Sequence, residues 1–153
     1  MNKNTLQYTC LRFDQLSLQQ LYDLLHLRQV VFVVEQDCPY IDADGKDPHC
    51  YHLMGYDSKG VLQAYTRLVP KGISYPDYVS IGRVVVSQAA RGGGQGKILM
   101  QESLDWASKL FPDTLLKISA QCYLLQFYTD LGFQAVGEEY LEDNIPHIAM
   151  IKK

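Results

Sequence analysis

The chain has 153 residues, of which 47% are hydrophobic and 20% are charged, and its formal net charge is −3. This length and composition indicate one folded domain with enough interior for a real core. The small negative charge provides no basic field for nucleic acid or an anionic membrane, and no apolar run approaches the ~20 residues of a membrane helix.

The first part of the chain predicts a strand, a helix and a loop. Leu6–Phe13 reads as a strand because it is rich in β-formers with rough alternation. Ser17-x-x-Gln20 is a capping-box pattern. Apolar residues at helical spacing then predict a helix to about Phe32, although the valine-rich run at its end could also be extended. Residues 35–50 contain prolines, a glycine and several aspartates, and we call them the acidic loop.

The next part predicts three strands. His52–Tyr56 and Val61–Val69 form a hairpin around a turn that ends in Gly60. A further loop leads to the apolar, β-branched run Tyr78–Val86, which we expect to be the central strand.

The last part alternates helices and strands. The predicted elements are a long helix from Gly94 to about Leu110, a strand over Leu115–Ala120, a short helix over Tyr123–Leu131 closed by Gly132, and strands over Gln134–Tyr140 and His147–Ile151. The complete order predicts an α/β (α+β) fold with a mixed, mostly antiparallel sheet of about seven strands and helices on both faces. We expect residues 1–153 to form a single domain.

A glycine-rich turn joins the central strand to the long helix. Its residues are Arg91, Gly92, Gly93, Gly94, Gln95 and Gly96, and we call them the glycine loop. The first N–H groups of a helix have no internal partner and carry partial positive charge. Glycines let a phosphate approach the backbone, and an arginine adds a forked, charged donor. The stretch therefore predicts a phosphate site, with a flexible surface turn as the simpler alternative.

Two common phosphate-binding motifs do not fit this loop. A P-loop needs a hydroxyl residue after its lysine, where this chain has Ile98. A Rossmann fingerprint needs a third glycine, where this chain has Lys97 or Leu99, and it also needs an early βαβ unit.

The spacing Arg-x-x-Gly-x-Gly, at Arg91, Gly94 and Gly96, resembles the coenzyme A pyrophosphate loop of the GNAT superfamily of N-acetyltransferases. A second stretch resembles another motif of these enzymes, in which a polar residue is followed seven positions later by a tyrosine and then by Gly-Phe. Gln121 and Tyr128 hold those two positions, and family members usually have asparagine at the first.

The chain also resembles the ElaA-like subfamily over nearly its whole length. The matching segments are Leu27-Arg28, residues 31–36, Cys38-Pro39-Tyr40, Asp42-x-Asp44-Gly45, His52-Leu53, residues 81–84 and residues 145–148.

The resemblance implies a binding site for acetyl-coenzyme A. The central strand and the strand after the long helix would splay apart, and the pantetheine would pair with the backbone of Val84, Val85 and Val86. The pyrophosphate would lie on the amides of residues 92–96, and Gln121 would contribute to the same site. A strand amide near Val84 to Val86 could also polarise the thioester carbonyl.

The implied reaction is direct attack by a primary amine, of a small molecule or a protein, on the acetyl thioester. Tyr128 matches the position of the family's acid, and a core aromatic is the alternative. Glu35 is our first choice for the base because it ends an apolar run and could be partly desolvated. A solvated helix-end carboxylate is the alternative. His147 and His52 are second choices because histidine titrates near neutral pH.

The charged residues around the acidic loop allow several interpretations. Asp42, Asp44 and Asp47 could hold a cationic amine or could simply be solvated. Arg28 and Arg83 could pair with these carboxylates or bind an acidic part of the substrate. The spacing of the aspartates does not match a calcium loop, and no standard zinc spacing occurs, so we expect no metal.

Two other functions stay open. One is a noncatalytic acyl-coenzyme A-binding or regulatory module. The other is an acyl transfer like that of acyl-homoserine lactone synthases, in which an Arg-x-x-Val-Phe run also occurs. In each case we expect acetyl-CoA or another acyl-CoA as partner, and for the acetyltransferase an amine acceptor as well. A homodimer is possible, and we expect no nucleic acid or membrane partner.

The N-terminal residues, Met1 to Thr5, lead into no apolar segment of the kind found in a signal peptide. No two of the four cysteines form a Cys-x-x-Cys pair. We therefore expect reduced thiols and a cytoplasmic protein.

Overall fold

Strands and helices follow one another in the order that the sequence predicts. A computed structural model describes residues 5–153; residues 1–4, part of the segment considered for a signal peptide, lie outside the described residues. The strands are β1 (Gln7–Arg12), β2 (Tyr51–Tyr56), β3 (Leu62–Val69), β4 (Ser80–Val86), β5 (Leu116–Gln121), β6 (Gln134–Glu142) and β7 (Ile145–Lys152). The α-helices are α1 (Leu18–Arg28), α2 (Gln95–Leu110) and α3 (Leu125–Asp130).

The strands form two antiparallel sheets that meet at one point. The first has the order β1-β2-β3-β4 and the second has the order β5-β7-β6. Val79 forms a parallel bridge to Leu116. Its N–H donates to the carbonyl of Leu115 at 3.1 Å, and its carbonyl accepts from the N–H of Lys117 at 2.9 Å. Beyond this bridge, within residues 5–153, no ladder joins β4 to β5, so the two strands part.

The start of α1 confirms the predicted capping box. The Ser17 hydroxyl accepts from the N–H of Gln20 at 3.0 Å, and the Gln20 side chain accepts from the N–H of Ser17 at 2.9 Å. The end differs from the prediction, because α1 continues into a π-helix over Gln29–Glu35. The valine-rich run is therefore helical, and it carries Phe32 towards the site described below.

Helices cover both faces of the first sheet, as predicted. Neighbouring residues of β2 point to opposite sides: Met54 packs in a cluster with Leu24 of α1, and Leu53 packs in a cluster with Leu99 of α2. A third cluster joins α2 to the second sheet and to α3. Gly132 follows α3 with φ +99°, which confirms its predicted place after the helix. None of the helices in the described part of the chain has the length and apolar character that crossing a membrane requires.

Candidate active site

A cleft of about 780 Å³ opens where β4 and β5 part. One wall comes from the end of the π-helix and the start of the acidic loop, including Phe32, Asp37 and Tyr40. The opposite wall comes from β5, the start of α3 and the β6–β7 hairpin. The floor is the middle of β4, where Arg83 and Val84 line the cleft.

A β-bulge shapes this part of β4. Tyr65 pairs with Val85 and Arg67 pairs with Gly82, so two residues of β4 stand opposite the single residue Thr66 of β3. The first of them, Arg83, has a left-handed backbone with φ +50°. This conformation is unfavourable for a residue with a Cβ, and the bulge re-aims the side chains that follow it.

The glycine loop reaches the start of α2 through three left-handed residues. Gly92, Gly93 and Gly94 have φ values of +85°, +74° and +77°, and Gly94 is the N-cap of α2. A Cβ at any of these positions would meet no atom within 4 Å, so the backbone conformation accounts for these glycines. Gly96 is helical, and a Cβ there would also meet nothing. Nothing within the described chain accounts for that glycine.

The structure joins two of the predicted site residues to each other. Arg91 Nε donates to the carbonyl of Val86 at 3.0 Å, and its Nη1 lies 2.8 Å from Glu35 Oε1. The residues that line the cleft do not include Glu35. Our first choice for the base is therefore held by an arginine of the glycine loop, and the structure does not bring it together with Tyr128 and His147.

The three predicted valines of β4 differ in their side-chain environment. Val85 packs against α1, whereas Val84 and Val86 pack towards α2. Gln121 ends β5 and lines the cleft. Gln95 is buried in the first turn of α2.

Tyr128 lies in the cleft on α3. Its side chain is only 8% exposed, and its ring packs edge-on against Phe127 and Phe133 at centroid distances of 5.2 and 5.9 Å. Burial and the nearby Tyr123 raise the pKa of Tyr128, so the phenol carries its proton at neutral pH. Among residues 5–153, none hydrogen-bonds to this hydroxyl.

His147 on β7 also lines the cleft. Its Nδ1 lies 2.7 Å from the carbonyl oxygen of Ile145, which can only accept, so Nδ1 carries a hydrogen. Its Nε2 lies 3.3 Å from Glu142 Oε2. The ring stacks on Tyr140, its cross-strand partner, at 6.1 Å. In the neutral ring, Nε2 therefore carries the lone pair beside a carboxylate.

The wall beside His147 holds three polar residues that the sequence reasoning missed. The Ser119 hydroxyl contacts the Tyr140 hydroxyl and lies 3.4 Å from Glu142 Oε1. Ser119 and Gln121 alternate along β5, as Tyr140 and Glu142 do along β6. Residues two positions apart in a strand lie on the same face. The spacing of these polar residues in the sequence could therefore have indicated a polar wall.

Six charged side chains behind the cleft form a closed ring in which arginine and aspartate alternate. In order around this ionic ring they are Arg28, Asp42, Arg83, Asp44, Arg67 and Asp47. The six ion-pair distances range from 2.7 to 3.4 Å. Of the alternatives that the sequence left open, pairing of Arg28 and Arg83 with these carboxylates is the one that the structure shows. The three aspartates are therefore neither simply solvated nor free to hold a cationic amine.

The ionic ring is largely buried. Arg28 is fully buried, and it donates to Asp42 at 2.7 Å and to Asp47 at 2.8 Å. Burial by itself would raise the pKa of Asp47, but the hydrogen bonds and charges of Arg28 and Arg67 outweigh it and lower that pKa. Burial opposes the shift at Asp44 too, yet the hydrogen bond from Arg67 holds the pKa of Asp44 far below its usual range.

His52, a second choice for the base, supports the ionic ring instead. It is fully buried, its Nε2 lies 2.9 Å from the carbonyl of Asp47, and its Nδ1 lies 2.7 Å from the Tyr65 hydroxyl. Burial lowers the pKa of His52. This neutral, doubly bonded imidazole does not line the cleft. No group of three or more possible ligand residues within residues 5–153 is placed to hold a metal ion.

Comparisons with known proteins agree with this architecture. A family model described as an acetyltransferase (GNAT) domain matches residues 47–153. Protein ElaA of Escherichia coli is 41% identical over 150 residues, which cover 97% of each chain. UPF0039 protein sll0451 of Synechocystis sp. is 42% identical over 140 residues, which cover 92% of this chain and 90% of that protein.

Solved structures show the same similarity. The crystal structure of an acyl-CoA N-acyltransferase from Pseudomonas aeruginosa has a TM-score of 0.92 and 47% identity, and it covers 97% of this chain and 100% of its own. The crystal structure of Escherichia coli ElaA has a TM-score of 0.90 and 40% identity with the same coverage. These matches confirm the mixed acyltransferase fold predicted from the sequence. The chain belongs to the GNAT family of acetyltransferases, and its relatives are ElaA-like.

Proposed function

We propose that the protein is an acetyl-CoA-dependent N-acetyltransferase that moves an acetyl group to a primary amine by direct attack. The observation that carries this proposal is the opening between β4 and β5. The glycine loop follows the end of β4, and the cleft itself holds Tyr128 and His147.

The geometry of the glycine loop and of β4 supports acetyl-CoA as the acyl donor. Three left-handed glycines lead into the N-terminus of α2, where a pyrophosphate would meet the amides of residues 92–96. Beyond Val79, β4 has no strand beside it on the β5 side among the described residues, so the backbone of Val84 to Val86 would receive the pantetheine. Gln121 lines the same opening. Bound acetyl-CoA would supply the activated thioester.

Arg91 would add a charged donor to this phosphate site. Its side chain is 45% exposed, and its guanidinium already contacts Glu35. A pyrophosphate would compete with that carboxylate for the guanidinium or share it, so in this proposal Glu35 positions Arg91. Glu35 is then not the base that the sequence suggested.

Tyr128 and His147 would carry the two proton transfers. The raised pKa keeps the Tyr128 phenol protonated at neutral pH, so Tyr128 would have a proton to give to the departing sulfur. His147 Nε2 would accept a proton from the attacking amine, and Glu142 at 3.3 Å would stabilise the resulting imidazolium. Tyr140 stacks on the imidazole and would help to fix its plane.

Release of free thiol from acetyl-CoA in the presence of simple primary amines would test this function. Tyr128→Phe should lower kcat by about 10²-fold or more, the range for loss of a general acid, with little change in the KM for acetyl-CoA. Tyr22→Phe is the matched control because Tyr22 is 70% exposed on α1. Full kcat in Tyr128→Phe would remove Tyr128 from the mechanism.

The same assay separates the other functions. Thermal stabilisation by acetyl-CoA without thiol release from any amine would favour a noncatalytic acyl-CoA-binding module. Turnover only with longer acyl-CoA would favour a reaction like that of acyl-homoserine lactone synthases. We further propose that residues 1–153 act as one domain in the cytoplasm, which agrees with four free cysteines, and that a homodimer is possible.

A further inference from the structure

We propose that the acceptor of this site carries a second positive charge beyond the reacting amine, as a diamine, a polyamine or a basic side chain does. This inference rests on the proposed function, because it concerns the acceptor end of the same cleft. It follows from the charges that line the cleft and from how each of them is paired.

Three carboxylates line the cleft, namely those of Asp37, Glu142 and Asp143. Asp37 follows the π-helix on one wall, and Asp143 lies in the β6–β7 turn on the other. Both residues are exposed. Within residues 5–153, no basic side chain forms an ion pair with Asp37 or Asp143, so their charges are available to a ligand.

The positive groups around the cleft are already paired. Arg83 is the only arginine that lines it in the described chain, and it lies 2.9 Å from Asp42 and 3.4 Å from Asp44 in the ionic ring. Because that ring contains three arginines and three aspartates, it adds no net charge. Lys117 lies outside the lining, with its Nζ held 4.8 Å from the ring centre of Tyr75.

The remaining basic group of the lining is His147. Its Nε2 lies 3.3 Å from Glu142, and Glu142 also lies 3.4 Å from the Ser119 hydroxyl. Glu142 therefore has partners within its own wall, whereas Asp37 and Asp143 leave negative charge on two separate walls of the cleft.

An independent observation shows that the same cleft is built for a ligand. Tyr128 is more than nine-tenths buried, and it lines the cleft with a hydroxyl that makes no hydrogen bond within the described residues. The hydroxyl is not among the fully buried polar atoms that lack a partner, so it faces the open cleft, where a bound group can reach it. The acceptor would enter between Tyr128 and His147, with its second charge directed towards Asp37 or Asp143.

The backbone allows these charges to be removed without disturbing the fold. Asp37 and Asp143 have left-handed φ values of +48° and +51°, and asparagine tolerates this conformation well. Asp37→Asn and Asp143→Asn should therefore keep their turns. Asp113 is also left-handed, at +60°, and lies outside the cleft lining, so Asp113→Asn is a matched control.

The test compares three acceptors with a four-carbon chain and an amine at one end. The other end carries a second amine in diaminobutane, a methyl group in butylamine and a carboxylate in aminobutanoate. They present a positive, a neutral and a negative group at the same distance from the reacting amine. We expect kcat/KM to fall in that order, by about fivefold per step, which is the size of an exposed ion pair. The preference should shrink as the salt concentration rises.

In the double variant Asp37→Asn with Asp143→Asn, the diamine should lose its advantage over butylamine, while kcat/KM for butylamine stays within about twofold of the wild type. Asp113→Asn should keep the wild-type preference. Equal rates for all three acceptors in the wild-type enzyme, or an advantage for aminobutanoate, would overturn the inference and leave the N-acetyltransferase function intact.

A binding measurement covers the case in which none of the three acceptors is acetylated. Thermal unfolding of the protein with saturating CoA would then be followed with each acceptor added. A larger increase in Tm with diaminobutane than with aminobutanoate, lost in the double variant, supports the charged cleft. No difference between the acceptors overturns it.

Discussion

The acidic loop lines the cleft and the glycine loop follows the end of β4, and different forces hold the two loops. The acidic loop is fixed by side chains, because Asp42 and Asp47 are buried against arginines from α1, β3 and β4. The glycine loop is shaped by its backbone, with three left-handed residues and open space around them. One loop is thus a wall whose polar groups bind each other, and the other is a backbone turn that leads into the N-terminus of α2.

The largest effect on stability should come from breaking the ionic ring. Arg28→Ala would leave Asp42 and Asp47 buried without their partner, since both accept hydrogen bonds from this arginine. Removing one member of a buried ion pair costs about 3–5 kcal/mol of unfolding free energy. Urea unfolding at pH 7, followed by circular dichroism, would measure the loss.

Arg12→Ala is the matched control for this experiment. Arg12 pairs with Asp14 at 3.2 Å, and both side chains are more than half exposed. We expect a change within about 0.5 kcal/mol. Similar losses in the two variants would show that the ionic ring does not hold the acidic loop.

Lowering the pH should reduce the unfolding free energy in two stages, each smaller than the loss expected for Arg28→Ala. Burial lowers the pKa of His52 in the folded protein. Below about pH 6.5 the imidazole therefore becomes protonated in the unfolded chain but stays neutral in the folded one, so stability declines as the pH falls. The pKa values of Asp44 and Asp47 are also lowered in the folded protein. Their contribution is complete above the ordinary aspartate value of about 3.9 and is lost as the pH falls further.

The unfolding free energy measured in urea between pH 8 and pH 3 would show both stages. Over this range the folded carboxylates stay ionised while the unfolded ones take up protons, so each should account for on the order of 1 kcal/mol. Asp44→Asn should be less stable than the wild type at pH 7 and show a shallower decline below pH 4. An unfolding free energy that stays constant down to pH 3 would contradict the pairing in the ionic ring.

The contrast between the two loops also explains what the sequence could predict. The capping box at Ser17, the glycine loop and Gly132 depend on neighbours within a few residues, and local spacing indicated them. The ionic ring joins residues 14 to 41 positions apart, so Asp42 could not be assigned to Arg28 or Arg83 before the chain was folded. The contact between Glu35 and Arg91 has the same long-range character.

The bulge at Arg83 could not be predicted for a related reason. Its run of Ile-Gly-Arg-Val-Val-Val reads as an uninterrupted strand, and only pairing with β3 shows that one residue is extra. The polar wall of Ser119, Tyr140 and Glu142 required the pairing of β5, β7 and β6 in the same way. Long-range strand pairing therefore determines the polar wall of the cleft, whereas local sequence patterns indicated the proposed cofactor loop.

The smallest effect on stability, and the sharpest test of the comparison, should come from Gly96→Ala. Gly96 is helical, and an added Cβ meets no atom of the described protein within 4 Å. Alanine is the better helix former, by up to about 1 kcal/mol, so the unfolding free energy should stay the same or rise slightly. If the proposed pyrophosphate site is correct, the methyl group would occupy space next to the phosphate, so stabilisation by acetyl-CoA should decrease. The increase in Tm on adding acetyl-CoA would measure that loss.

Substitutions at two further glycines distinguish the cost of backbone strain from the loss of ligand contact. Gly94→Ala and Gly72→Ala both place a methyl group on a left-handed residue in open space, so each should cost about 1 kcal/mol of stability. Only the first should weaken the response to acetyl-CoA, since Gly72 lies outside the glycine loop. Loss of acetyl-CoA binding in Gly96→Ala with unchanged stability would show that position 96 lacks a side chain because a ligand contacts the backbone there. An unchanged response in both Gly94→Ala and Gly96→Ala would mean that the loop is a surface turn, and the proposed cofactor site would fall with it.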